Sequence, residues 1–292
     1  MSTIRSKELA MRSISKFTQH FGSGPSDWWA YFRTKPKFYE QFPRIHASEL
    51  STSSISASFA FSNTGVPFLK WAHYFPIYDS IISGIMREPD QSRQRTIKFL
   101  EIGVDRGGSL NMWRALLGNQ AKIVGIDINP ECSKITGVEA DIRIGSQDDE
   151  EFLRSVIKEM GGLDVVLDDG SHASRHIIKS FQTLFPLMED RGVYIIEDVH
   201  ASYWSFWRLG GGLRRKKSAI EYFKNKVDQM HQEYYRANAG LRRFREEPII
   251  GISSIEFHDS IIVIKKTMLT HPPLLVESGN SWFNSHASAR SL

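Results

Sequence analysis

Cysteine is almost absent from this sequence: Cys132 stands alone in 292 residues. One cysteine forms no intramolecular disulfide and no thiolate zinc cage, which is compatible with a reducing compartment, so a cytoplasmic protein is expected. Long apolar runs are also missing, and nothing approaches the roughly 20 residues that span a bilayer. No membrane partner is therefore expected. Charge of one sign is equally scarce, because 37 Lys and Arg against 33 Asp and Glu leave only +4. That excess is too diffuse to argue for nucleic acid. The first residues, MSTIRSKELAMRSISKF, have no continuous apolar segment of the secretory type. Their basic, serine-rich composition is also that of organelle transit peptides, but short basic amphipathic segments are common at ordinary termini.

What is present is core material, with 41% hydrophobic and 24% charged residues, the profile of a globular chain with one large domain and an appendage. The serine-rich stretch SELSTSSISAS, 48–58, lacks helical periodicity and reads as a linker. Before it, the aromatics of DWWAYFRTKPKFYEQF require a partner surface, either the main domain or another copy, and a homo-oligomer is expected. The division expected is an N-terminal extension over 1–65, a main domain over 66–270 and a tail over 271–292.

From Arg95 onward, β-branched runs alternate with segments of helical period, the pattern of βαβ units around a parallel sheet. Strands are expected at Ile97 to Ile102, Lys122 to Ile126, Ile142 to Ile144, Asp164 to Leu167 and Val193 to Ile196. Helices are expected at Ser109 to Leu117, Glu150 to Met160 and His172 to Leu184. SIEFHDSIIVIKK places the turn pair Asp259 and Ser260 between two strand-like runs, so the sheet should end in an antiparallel hairpin. The fold class expected is α/β, Rossmann-like, seven-stranded, with that terminal hairpin, as in class I methyltransferases.

KFLEIGVDRGGSLNMW leads from a strand through Gly103, Gly107 and Gly108 into a helix, which lets backbone approach a ligand closely. The glycine spacing departs from the Gly-x-Gly-x-x-Gly of pyrophosphate binders. A cationic sulfonium suits it better, with Glu101 at the strand end and Ser109 opening the helix. In GIDINP, Asp127 ends the second strand, where an acid can accept both ribose hydroxyls of a nucleoside. After the third strand, Ser146 and Gln147 are candidates for the adenine rim, although Ser146 could equally cap the helix beginning near Asp148. KWAHYFPIYDSII, ahead of the first strand, resembles the segment that covers the cofactor in class I methyltransferases, and that resemblance implies Tyr74 and Tyr78 as further candidates for contact with it.

DVVLDDGSH and GVYIIEDVH put Asp168, Asp169, Glu197 and Asp198 at the carboxyl ends of neighbouring parallel strands, the edge where such sheets bind ligands. Acids there are individually more often solvated or capping residues. Four that converge repel one another unless a cation neutralises them. Oxygen donors without thiolates favour magnesium, with manganese or calcium as alternatives. Asp168 is also assigned to the cofactor side. His172, three residues beyond Asp169, is positioned to take a hydroxyl proton near neutral pH, whereas His176 reads as helix surface or support.

DDGSH, LFPL one helix later, GVYIIEDVHASYW, a glycine triplet and SIEFHDSIIVIKK, with EIGVDRGGS and GIDINP in register, resemble the sugar O-methyltransferases of macrolide and related glycoside biosynthesis, of the macrocin and mycinamicin type. The resemblance covers roughly Val66 to Lys266. It implies S-adenosyl-L-methionine as methyl donor, magnesium or manganese held by Asp169, Glu197 and Asp198, His172 as general base, and a small-molecule or oligosaccharide acceptor. Catechol-type methyltransferases, similar in layout, place a lysine where His172 stands. Beyond the fifth strand, Tyr203, Trp204, Phe206 and Trp207 either line a sugar pocket or pack in the core. The triplet Gly210 to Gly212, followed by RRKK, reads as a mobile loop over the acceptor or as a solvated face. Other readings are a phenolic acceptor, a non-catalytic binding module, and an oxidative role. No two-histidine facial triad for iron is evident, which counts against the last.

Overall fold

The computed structural model describes residues 65–86, 96–205, 209–231 and 251–267, together with Phe42, Pro43, Ser54, Phe59 and Tyr234. The aromatic N-terminal segment apart from Phe42, the linker apart from Ser54, Phe206, Trp207 and the C-terminal tail lie outside the described residues. Among the described residues, no helix is long and apolar enough to cross a membrane.

A short 3-10 turn, Ala72–Tyr74, leads into helix α1, Phe75–Met86. There follow β1 (Lys98–Ile102), α2 (Gly108–Leu117), β2 (Lys122–Asp127), β3 (Asp141–Ile144), α3 (Glu150–Met160), β4 (Val165–Asp168), α4 (Ser174–Leu184) and β5 (Val193–Ile196). Helix α5 (Ala219–Met230) and the strands β6 (Ile252–His258) and β7 (Ile261–Lys266) complete the order. The seven strands form one sheet, β3-β2-β1-β4-β5-β7-β6. Strands β1 to β5 pair in parallel, while β7 runs antiparallel to both β5 and β6. This is the expected seven-stranded α/β architecture with its terminal hairpin.

Side chains of the central strands alternate between two apolar layers, as a sheet covered on both faces requires. Leu100, Ile102, Val166, Tyr194 and Ile196 pack under α3, α4 and α5, against Val156, Phe181 and Phe223. Phe99, Leu167, Val193 and Ile195 face the other way, against Tyr78 of α1 and Trp113 of α2. The same alternation decides where the acids at the strand tips go. Glu101 shares the face of Phe99, and Glu197 that of Ile195, so both point toward α1 and α2. Asp168 shares the face of Val166 and turns toward α4.

Boundaries depart from expectation by a residue or two, most informatively at α4. His172 was expected to open that helix, but it adopts φ 54, a left-handed conformation that no helical residue takes, and the helix begins at Ser174 after the extended Ala173.

Candidate active site

The turn after β1 is built for close approach. Gly103 has φ 93, and a methyl group added there would lie 2.3 Å from the carbonyl oxygen of Asp169. Only glycine lets the β1 turn and the β4 tip meet at this distance. Gly107, with φ 82, is the residue from which α2 begins. Asp127, at the end of β2, accepts from the backbone amides of Val104 (2.9 Å), Asp105 (3.2 Å) and Asn129 (2.8 Å). These bonds fix the carboxylate beside the glycine turn.

Glu101 is fully buried, and Ser109 donates to its Oε1 at 2.5 Å. Its Oε2 is buried with no hydrogen-bond partner among the described residues. An orphaned carboxylate oxygen beside a glycine turn fits a cationic ligand. Burial pushes the Glu101 carboxyl up to about 7, against the pull of Lys70 and Ser109.

In the third-strand loop, Ser146 is not the helix cap. Asp149 caps α3, accepting from the Phe152 amide at 3.1 Å, and the Ser146 hydroxyl donates to Asp148. Gln147 is buried and acts as a strap, donating to Asp168 Oδ1 at 3.0 Å and accepting from the Ser171 amide at 2.7 Å. Ser180 (2.7 Å) and Tyr194 (3.2 Å) donate to the other oxygen of Asp168. Asp168 is thus spent on bracing the β4 tip, and its carboxylate is directed away from the glycine turn. His176 adds to the brace, with Nδ1 2.8 Å from Ser171 Oγ and Nε2 3.3 Å from Asp148.

At the tips of β4 and β5, Asp169, His172 and Asp198 each offer a ligand atom, all within 4.8 Å of one another. Two metal–oxygen bonds of about 2.1 Å reach at most about 4.2 Å across a small divalent cation, so the set needs to close only by tenths of an ångström to hold one. One histidine and two carboxylates form an oxygen-rich donor set that suits magnesium or manganese, and His172 Nδ1 is buried without a partner. Asp198 is left-handed, with φ 52. Its Oδ1 accepts from the Trp71 indole (3.1 Å) and the Tyr74 hydroxyl (2.8 Å), while Oδ2 lies 4.0 Å from His172 Nε2. Burial opposes ionisation of Asp198, but His172, His200 and the Tyr74 hydroxyl outweigh it and hold the carboxyl below its usual range.

Glu197 does not join that cluster in this structure. Its Oε2 lies 2.6 Å from Lys70 Nζ, and the Tyr78 hydroxyl donates to its Oε1. Lys70 also reaches Asp169 Oδ2, at 2.5 Å. The expected carboxylate trio is therefore divided, with Asp169 touching both halves. Tyr78, expected at the cofactor, donates its hydroxyl hydrogen to Glu197. Burial pulls the Lys70 ammonium down, but Asp169 and Glu197 more than compensate, so it is held firmly charged. Lys70 was not singled out from the sequence. Its only signal there was its position at the head of the KWAHY segment.

Of the aromatics beyond β5, Trp204 packs against His200, ring centroids 5.1 Å apart, and Tyr203 is half exposed. The glycine triplet is tied down rather than free: the Gly212 amide donates to Ser202 at 2.9 Å, and a methyl group on Gly211 would meet the Trp204 carbonyl oxygen at 2.4 Å.

Against this geometry, residues 100–199 match the family model described as a methyltransferase domain. The seven-stranded sheet that these residues help to build has the α/β methyltransferase fold. In sequence this domain and its flanks resemble an enzyme of Streptomyces olivaceus that methylates the 3′ hydroxyl of a rhamnosyl tetracenomycin, with 34% identity over 58% of this chain and 44% of the relative. The mycinamicin VI 2′′-O-methyltransferase of Micromonospora griseorubida is 34% identical over 54% of this chain and 37% of its own. Demethylmacrocin O-methyltransferase of Streptomyces fradiae is 31% identical over 63% and 47%. The chain thus spans under half the length of the curated relatives it matches. Among solved structures, the MycE methyltransferase of the mycinamycin pathway, in complex with Mg and SAH, superposes with a TM-score of 0.60 and 25% identity, over 85% of this chain and 61% of that one. These likenesses agree with the resemblance read from the DDGSH and EDVHASYW motifs.

Proposed function

We propose that the methyltransferase domain transfers a methyl group from S-adenosylmethionine to a hydroxyl of a sugar or glycoside. The observation that carries this reading is the convergence of Asp169, His172 and Asp198 next to a glycine turn that touches the Asp169 backbone. It supports reading the three side chains as a hydroxyl-activating cluster beside a nucleoside site, and the relatives' names favour the acceptor class.

Asp127 would take the ribose, and the orphaned Glu101 oxygen would meet the positive end of the cofactor. Asp169 and Asp198, with Glu197 completing the set, would hold a divalent cation, which when bound supplies polarisation of the acceptor hydroxyl. His172 Nε2 takes the hydroxyl proton, and Asp198 Oδ2 offsets the charge that this leaves on the imidazole. The acceptor oxygen then attacks the sulfonium methyl in line, the C–S bond breaks with its electron pair going to sulfur, and SAH leaves neutral at that centre. Charge is cancelled as the reaction proceeds, so rate comes mainly from positioning.

The test is transfer of labelled methyl to a panel of glycosides and phenols, with magnesium and with chelator. Label should enter glycosides only with metal. His172→Ala should lower turnover by a factor of about 10² to 10⁴, the usual contribution of a positioned base, while SAH affinity holds. Unchanged turnover of that variant would remove the base assignment. Full activity in chelator would remove the metal, and labelling confined to phenols would replace the acceptor class.

A further inference from the structure

Lys70 is the residue the reaction scheme above does not use. Its side chain is 4% exposed and is wedged between Asp169 (2.5 Å) and Glu197 (2.6 Å). Those two carboxylates belong to the acidic set around the candidate metal site. Glu197 has one oxygen on Lys70 and the other on the Tyr78 hydroxyl, so its Oε2 turns to a metal at the expense of Lys70. A buried carboxylate pair needs a positive charge between its members. An ammonium and a divalent ion are alternative ways to provide it.

We propose that Lys70 is a resident counter-ion that competes with the divalent metal for Asp169 and Glu197, and so sets the metal affinity of the site. With no metal, Lys70 keeps the two acids together and the strand tips in register. With metal, the ammonium gives up one or both carboxylates. The inference rests on the metal-assisted reading but concerns binding, not turnover. The consequence is an affinity weaker than the same acids would give alone, because part of the binding free energy goes into displacing a lysine.

The test is Mn²⁺ binding to the full chain, read by titration of the free-ion electron paramagnetic resonance signal, for the wild type and for Lys70→Met. The variant should bind Mn²⁺ at least tenfold more tightly, and its melting temperature should depend on metal far more than that of the wild type. Equal or weaker binding by Lys70→Met overturns the proposal. If the variant does not fold, the wild type answers alone: the Nζ resonance of Lys70, labelled with ¹⁵N, should shift when Mg²⁺ is added, and a resonance unmoved at saturation overturns the competition. Binding of Mn²⁺ to neither protein would overturn the competition and the metal assignment together. Equal affinity in both proteins removes only the role of Lys70.

Discussion

At Glu101 and Asp168, two acids that end adjacent strands, residue-scale physics assigns opposite duties. Both are buried, but Asp168 accepts from Gln147, Ser180 and Tyr194, whereas Glu101 has one oxygen on Ser109 and one without a partner among the described residues. Two-residue alternation separates them. In the β4–β5 register Asp168 lies beside Ile196, so it shares that residue's face and not that of Glu197. The sequence carried enough to exclude Asp168 from the acidic cluster, provided strand register was used and not proximity alone. Lys70 was not legible, because 99 and 127 residues separate it from its partners. Glu101 also yields a pH prediction. Its carboxyl, pushed by burial up to about 7, is mostly neutral at pH 6 and mostly ionised at pH 8. Affinity for a sulfonium should therefore strengthen as pH rises through 7. The unliganded fold changes the other way: the folded form holds a proton that the unfolded chain has released above about 4.5, so this group's contribution to stability declines between pH 4.5 and 7. Calorimetry of S-adenosylmethionine binding at pH 6 and pH 8 checks this, and Glu101→Gln should flatten the profile. A pH-independent wild type would show that Glu101 does not meet the cation.

Elements were more readable than contacts. The span of α3, Glu150–Met160, follows from its apolar spacing, while the structure shows its ends set by Asp149 as N-cap, not Ser146, and by Gly161 in the left-handed conformation beyond it. The hairpin followed from Asp259 and Ser260, of which Ser260 does take positive φ. What failed was the start of α4, since no periodicity signal shows that the chain turns left-handed at His172 before the helix begins. Such residues cost on the order of 1 kcal/mol or more and persist where the surroundings impose them. One inter-element contact has a clear energetic weight. Lys266 of β7 is buried and donates to the carbonyls of Phe185 (3.0 Å), Pro186 (2.9 Å) and Met188 (2.7 Å), in the turn that follows α4. Lys266→Met would strip donors from carbonyls at a buried helix end, so urea unfolding should show a loss of about 1–3 kcal/mol. A loss under about 0.5 kcal/mol would mean that water satisfies those carbonyls.

Over the whole molecule, the single cysteine becomes a reporter. Cys132 is 2% exposed, between the Asp127 loop and the Asp105 carbonyl, and burial, with Asp127 and Asp105 nearby, pushes its thiol up to about 12. The native protein should react with a disulfide reagent hundreds of times more slowly than the urea-unfolded chain, and more slowly again with SAH bound. Rapid stoichiometric labelling of the native state would contradict this burial. The fold class was legible because strand runs alternating with crossover segments are a local signal, repeated along the five parallel strands. The site was legible only where its residues share a motif, because the rest of it is assembled from distant parts.

The terminal hairpin turn shows what that assembly entails. The Ser260 carbonyl accepts from the Val199 amide at 3.0 Å and from the Tyr74 hydroxyl at 3.3 Å, and the Asp259 carbonyl lies 3.0 Å from His73 Nε2. One turn near residue 260 thus latches the segment carrying Lys70 and Tyr74 to the tip that carries Asp198. During synthesis every acid of the cluster leaves the ribosome long before this latch does, so the tie between the two segments closes only once the hairpin has emerged.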